Sequence, residues 1–276
     1  MLLNVSPQEL EDYYLNQRLS SRKIAKIYNC AYSTIDRKIR LFGFKVRNRS
    51  ESHVIYEKSD FSGNLSEKAY LIGFSIGDLR VRKFYKNSET VHVDCGSTRN
   101  EQIDLIERLF RRYGRVWISK PNKKGVTQIE CFLNKTFDFL LELDKSSVPD
   151  WAGKNKLFFS NFLAGFVDAE GSIFISRNKA FFALGNYDIK LLKEIKYLLE
   201  KFGIKSPKIF CSVRKGFVAS HGYRYNQDYW TLSISRKREL VNLFALVGPY
   251  LKHEKRIACM ELAKTNIEAR NKLYGE

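Results

Sequence analysis

The chain is expected to be an α+β protein: two pseudo-symmetric αββαββα repeats forming a saddle of antiparallel sheets, preceded by a small all-α unit. Three observations predict it. A ten-residue pattern recurs at a fixed distance, the segments after each copy follow the same order of helical and strand periodicities, and the first fifty residues combine helix-start signals with concentrated positive charge.

At the front, Ser6, Pro7 and Glu9 read as a capping serine, a proline at the first helical position and a glutamate at the third, so a helix is expected from Pro7 to about Arg18. A second helix starts at Ser20 or Ser21 and carries Ile24, Ala25 and Ile27. A turn over 29–32 and a cap at Ser33 lead into a third, with Ile35 and Ile39 facing inward and Gly43 ending it. Residues 20–43 resemble the helix-turn-helix family, in which a small residue such as Ala25 lets two helices approach; where such motifs favour glycine in the turn, this chain has Cys30. Between Arg18 and Arg49, ten Lys or Arg stand against one acid, Asp36. Thr34, Arg37 and Lys38, with Lys45, are therefore candidate contacts to phosphates or base edges. Residues 1–50 are read as this domain and 51–65 as a linker.

The remainder holds the repeat. Ala69-Tyr70-Leu71-Ile72-Gly73-Phe74-Ser75-Ile76-Gly77-Asp78 is echoed by Asn161-Phe162-Leu163-Ala164-Gly165-Phe166-Val167-Asp168-Ala169-Glu170, with 92 positions separating Gly73 from Gly165, Phe74 from Phe166 and Asp78 from Glu170. After Asp78, strands are expected over 79–84 and 90–95, a helix over 99–113, strands over 115–119 and 126–133, and a helix near Phe137. After Glu170, strands are expected over 172–178 and 181–185, a helix over 188–202, strands over 208–213 and 229–235, and a helix over 237–247. The repeats are placed at 66–148 and 149–276, joined at about 145–158.

Alternation within the later strands separates two faces. Thr127, Ile129, Cys131 and Leu133 alternate with polar Gln128, Glu130 and Asn134, and Trp230, Leu232 and Ile234 alternate with Thr231, Ser233 and Ser235. Candidate nucleic-acid contacts on polar, partly basic concave faces are Arg80, Arg82, Arg115, Ser119, Gln128, Lys208, Ser212, Arg214, Thr231 and Ser233. In each repeat helix, Gly73 with Gly77, or Gly165 with Ala169, lie four apart on one helical face and permit close helix approach. Packing there would set Asp78 beside Glu170, a repulsion of about 1 to 4 kcal/mol that divalent cations would reverse. Asp168 has Ile76 as its counterpart and is read as structural.

These motifs resemble the LAGLIDADG family, whose members include homing endonucleases and some RNA maturases. The copy at 163–171 is a close match, and the copy at 71–79 departs at its last position, where Leu79 replaces glycine. The resemblance implies a single-chain, monomeric, two-repeat endonuclease over about 66–276, acting on double-stranded DNA with Mg²⁺ or Mn²⁺. Asp78 and Glu170 are the implied metal ligands and catalytic residues, and the product is a double-strand break with a short 3′ overhang. Candidate basic catalytic residues follow Pro149 and Pro249: Lys154 or Lys156 in one repeat, Lys252 or Lys255 in the other, with Lys154 and Lys255 chosen.

Composition agrees with a polyanionic partner: 48 Lys and Arg against 30 Asp and Glu give a formal charge of +18, while 44% hydrophobic residues suffice for compact domains. No apolar run is long enough to span a bilayer and Met1-Leu2-Leu3-Asn4 lacks a basic export signal, so no membrane partner and a cytoplasmic, nucleoid-associated location are expected. The five cysteines form no CxxC pair and are read as reduced fillers; the four histidines show no metal-ligand spacing, and no Gly-rich phosphate loop suggests ATP. A non-cleaving DNA-binding regulator and an intron-RNA maturase on the same scaffold remain alternatives.

Overall fold

The computed structural model describes residues 5–47, 56–205, 208–220 and 222–274, which divide into two compact units: one through Glu57 together with Tyr85–Glu89, the other Lys58–Phe84 and Thr90 onward.

In the first unit, α1 (Pro7–Glu11) has the expected capping box, the Ser6 hydroxyl accepting from the Glu9 N–H and the Glu9 carboxylate accepting from the Ser6 N–H. Instead of continuing as α-helix to Arg18, the chain widens into a π-helical turn over Asp12–Asn16, and Arg18 turns it with a positive φ. α2 (Ser21–Ile27) is capped by the Ser20 hydroxyl. α3 (Tyr32–Leu41) begins earlier than a cap at Ser33 would have it, with Ala31 in the capping position and no side-chain cap. The left-handed residue of the intervening turn is Asn29, φ +48°, so Cys30 needs no glycine-like conformation. Leu10, Tyr14, Ile24, Ala25, Ile35 and Ile39 bury a small core, leaving Arg37 exposed and Thr34 and Lys38 half-buried.

The second unit starts earlier than the expected linker end. The Ser59 N–H donates to the Tyr113 carbonyl, and Phe61 packs its ring against Tyr113, Phe137 and Phe139. Then come α4 (Leu65–Asp78), β1 (Arg80–Arg82), β2 (Thr90–Ser97), α5 (Asn100–Phe110), β3 (Arg115–Ile118) and β4 (Thr127–Asn134), closed by a 3₁₀ turn over Lys135–Leu140 where an α-helix was expected. A short α6 (Asp150–Lys154) occupies the expected inter-repeat linker. The second copy follows: α7 (Lys156–Glu170), β5 (Gly171–Ser176), β6 (Lys179–Asn186), α8 (Ile189–Lys201), β7 (Lys208–Val213), β8 (Tyr229–Ile234) and α9 (Lys237–Val247). A final helix, α10 (Glu254–Tyr274), has no counterpart in the first repeat and was not expected.

Both sheets are antiparallel and share one order, β1-β2-β4-β3 and β5-β6-β8-β7. Ile129, Cys131 and Leu133, and Leu232 and Ile234, are buried as the alternation predicts, in one continuous core with α4, α7 and the amphipathic α5, α8 and α9. All five cysteines are free thiols. Among the described residues no helix is long and apolar enough to cross a membrane.

Candidate functional site at the helix seam

α4 and α7 cross so closely that two glycines become obligatory. A Cβ at Gly73 would lie 2.0 Å from the Phe162 carbonyl oxygen, and one at Gly165 would lie 2.1 Å from the Tyr70 carbonyl oxygen. Tyr70 and Phe162 are themselves counterparts at the 92-residue spacing, so the contact is reciprocal. At the seam's end, a Cβ on Gly77 would meet the Ala169 Cβ at 2.5 Å and the Glu170 Cγ at 2.9 Å. The small residues thus bring the C-terminal ends of both helices, and with them Asp78 and Glu170, together.

Both helices stop in extended backbone, Leu79 at φ −102° and Gly171 at φ −74°. Neither angle demands glycine. Space does so only at Gly171, where a Cβ would come within 2.6 Å of the Val167 carbonyl oxygen; Leu79 instead buries its side chain in the core. The departure from the motif at Leu79 therefore leaves the turn intact.

The two carboxylates sit in unequal surroundings. Asp78 accepts a hydrogen bond from the Gln102 amide at 2.7 Å, and burial raises its pKa to about 6 against the opposing pull of Gln102, Arg256 and Arg99. Glu170 is raised further, to about 7, first by burial and then by the Asp78 charge, with Arg256 opposing. Asp78 ionises first, so Glu170 titrates against an existing negative charge. Among the described residues no hydrogen bond reaches the Glu170 carboxylate. Gln102 is the third residue of α5, and the third residue of α8 is the apolar Leu191, which has no proton to donate.

Asp168 ties the seam to the following chain. Its Oδ2 accepts from the Tyr70 hydroxyl at 2.6 Å and from the Lys252 and His253 N–H groups at 2.7 and 3.1 Å, while the Lys252 ammonium lies over the Tyr70 ring. Burial still holds its pKa up at about 6.

The basic candidates need correction. Lys154 is exposed, pairs with Asp150 and precedes the first turn of a 15-residue helix whose last residue is Glu170, which puts it about 20 Å away at 1.5 Å per residue. Lys156 stands at the same remote end. Lys255 is exposed in the first turn of α10, and the next residue, Arg256, is the cation whose charge acts on Asp78, Asp168 and Glu170. Gln102, Arg99 and Arg256 were missed because Gln102 sits in an ordinary amphipathic helix and α10 was not expected.

Pairing registers fix the open faces of the sheets. Arg80 and Arg82 stand opposite Asp94 and His92, and Arg115 opposite Phe132. Arg80 and Arg82 both ion-pair with the buried Asp94. The Ser119 hydroxyl donates to the Lys120 carbonyl and accepts from the Gln128 N–H, and the Gln128 amide lies over Gly96. On the second sheet, Lys208 and Ser233 share the open face, Arg214 is exposed just beyond β7, and the Thr231 hydroxyl donates to Ser212, which donates to the Tyr229 carbonyl. The expected polar, partly basic character holds for the first sheet in part, with Trp117 and Phe132 on the same face. Phe174, Phe181, Phe210 and Tyr229 make the second largely aromatic.

Two repeats crossed on glycines, each feeding a four-stranded antiparallel sheet and ending its first helix in a carboxylate, define a single-chain LAGLIDADG-type fold. Residues 160–248 match the family model described as a LAGLIDADG-like domain. The chain is 25% identical over 268 residues to an uncharacterised protein of Methanocaldococcus jannaschii, spanning 91% of this chain and 95% of that protein. Among solved structures it is similar to the homing endonuclease I-DmoI in complex with DNA and Ca, with a TM-score of 0.50 and 17% identity, covering 72% of this chain and 98% of that one. It is also similar to the homing endonuclease I-WcaI bound to its DNA recognition sequence (TM-score 0.47, 16% identity, 80% and 97% covered) and to the N-terminal LAGLIDADG domain of WhiA (TM-score 0.45, 14% identity, 71% and 88% covered).

Proposed function

We propose that the protein is a site-specific endodeoxyribonuclease that makes metal-dependent double-strand breaks, with the two repeats as its catalytic body and the three-helix unit as a helix-turn-helix module for further DNA contact through Thr34, Arg37 and Lys38. The observation that carries this reading is the meeting of Asp78 and Glu170 at the glycine-crossed seam. Two half-buried carboxylates side by side, the charge of Asp78 raising the cost of ionising Glu170, are a poor structural device and a good site for hard divalent cations. The LAGLIDADG-like match over the second repeat and the likeness in fold to I-DmoI, determined with DNA and Ca, support it.

The donor set fits such a metal. Among the described residues no cluster of three or more His, Cys, Asp or Glu could form a cage, so Asp78 and Glu170 would share the ion with oxygens of water and phosphate. When bound, Mg²⁺ or Mn²⁺ supplies neutralisation of charge developing on the phosphate and on the leaving oxygen, and acidifies a water nucleophile. Gln102 fixes the orientation of the Asp78 carboxylate through its hydrogen bond. Arg256 and Arg99 hold positive charge beside the seam, favouring the ionised carboxylates and attracting the phosphate backbone. With a formal charge of +18, phosphate contacts dominate affinity and binding should weaken steeply with salt.

The test is incubation of the protein with a randomised duplex library and Mg²⁺, alongside Asp78→Asn and Glu170→Gln. Selected sites are expected to be cut by the wild type and lost by at least about 100-fold in each variant, the scale of removing one transition-state charge stabiliser. Cleavage that survives both substitutions removes the assignment, and DNA binding without cleavage by the wild type favours a regulator.

A further inference from the structure

The open face of the second sheet has the composition of a stacking surface. Phe174 and Phe181 face each other across β5 and β6 as a stacked pair, ring centroids 5.5 Å and planes 14° apart, and Phe174 is 43% exposed. Phe210, on the far strand β7, is 49% exposed. Apolar rings left in water on a strand face forgo burial energy unless a ligand covers them.

Between these rings the strands carry small side chains. Ala183 pairs with Ser233, and Gly185 pairs with Thr231, beside Phe210. The Tyr229 ring lies over Gly185, where a Cβ would come 2.1 Å from its hydroxyl, and Tyr229 feels the charge of Glu170. The face thus carries Phe174 and Phe181 on one side, Phe210 on the other and the Tyr229 ring laid over Gly185 between them.

Its charges are all of one sign. The strand residues on this face include Lys179 and Lys208 and no acid, and Arg177 is exposed in the turn between β5 and β6. The same face of the first sheet carries Asp94 and Glu130 among its arginines. Duplex DNA offers base edges, which polar side chains read, whereas unpaired bases offer π-faces, which rings bind. A cation-rimmed face of exposed rings with no acid among its strand residues matches a polyanion of unpaired bases better than a duplex groove.

We infer that this face binds single-stranded DNA by stacking its unpaired bases, so that the DNA the protein holds best has a single-stranded stretch on the second repeat's side of Asp78 and Glu170. The identity of the polymer rests on the DNA reading above; the stacking does not depend on cleavage.

The experiment uses the full chain without metal, titrated with forked DNA whose single-stranded arm carries 2-aminopurine, with the matching blunt duplex, and with a fork whose arm is RNA. Expected are tighter binding of the DNA fork than of the duplex and quenching of 2-aminopurine in the arm. Phe174→Ala and Phe210→Ala should each weaken fork binding about tenfold, within the range for loss of one base–aromatic stack, with duplex affinity unchanged. Both rings are exposed, and unfolding temperatures confirm that the variants fold. Equal affinity for fork and duplex, a fork preference that survives both substitutions, or preference for the RNA arm overturns the inference. Because no cleavage is read, each of these leaves the nuclease assignment standing, and failure of that assignment leaves the fluorescence result standing.

Discussion

In the first repeat the carboxylate is held by a buried amide and the open sheet face sets arginines and acids among Trp117 and Phe132; in the second the carboxylate accepts no hydrogen bond among the described residues and the open face is aromatic with no acid on its strands. Yet both repeats share one strand order and reciprocal glycine contacts. The comparison separates what the duplication must keep from what it can change. Backbone atoms crossing at van der Waals contact leave no room for a side chain on either helix, so Gly73 and Gly165 are equivalent. Side chains facing water obey no such constraint, and there the halves have diverged.

The largest effects should come from breaking the equivalence. Gly73→Val and Gly165→Val each force a side chain into a backbone carbonyl about 2 Å away, which no rotamer relieves. Each is expected to cost at least about 3 kcal/mol, the upper end for overpacking, measured by urea unfolding. Tolerance of one and not the other would show that the crossing is not reciprocal.

This symmetric part was the part legible in the sequence. The 92-residue spacing, small residues four apart and the alternation of Ile129, Cys131 and Leu133 located the helix pair, the strands and the meeting of Asp78 with Glu170. What was not legible depends on long-range placement. Lys154 looked comparable to Lys255 by position after a proline, but α7 puts a full helix length between it and Glu170. Arg256 gave no signal because α10 was not expected: its buried stripe of Met260, Ala263 and Ile267 is blurred by exposed Leu262 and Leu273 on other faces. The aromatic face was missed because β5 and β6 carry apolar residues at both parities, Ile173 beside Phe174 and Phe181 beside Phe182, so alternation does not say which side is buried.

A smaller effect tests the asymmetry inside the seam. Tyr70 donates to Asp168, whereas their counterparts Phe162 and Ile76 are apolar. Tyr70→Phe removes one charge-assisted hydrogen bond and leaves Asp168 with two backbone donors. A loss of about 1.5 to 3 kcal/mol in urea unfolding is expected, together with a further rise in the Asp168 pKa, because the lost bond favours the ionised form. Unchanged stability would show that the tie holds nothing.

The smallest and most diagnostic effect is on proton binding. Between about pH 4, where unfolded carboxyls ionise, and the folded values of about 6 for Asp78 and 7 for Glu170, the folded chain keeps protons that the unfolded chain has lost. These two groups therefore make stability fall as pH rises through that window and level off above it. Asp78→Asn and Glu170→Gln should stabilise the metal-free protein at pH 8 by on the order of 2 kcal/mol each, read as a higher Tm, and leave it unchanged near pH 4, where the folded acids are already neutral. Arg256 opposes both shifts, so Arg256→Gln should move both carboxyl titrations, followed by NMR, to higher pH, and with them the acidic limb of metal binding. Lys255→Gln should move neither. If Lys255 shifts the titrations and Arg256 does not, the electrostatic asymmetry at the seam has been assigned to the wrong residue of the last helix.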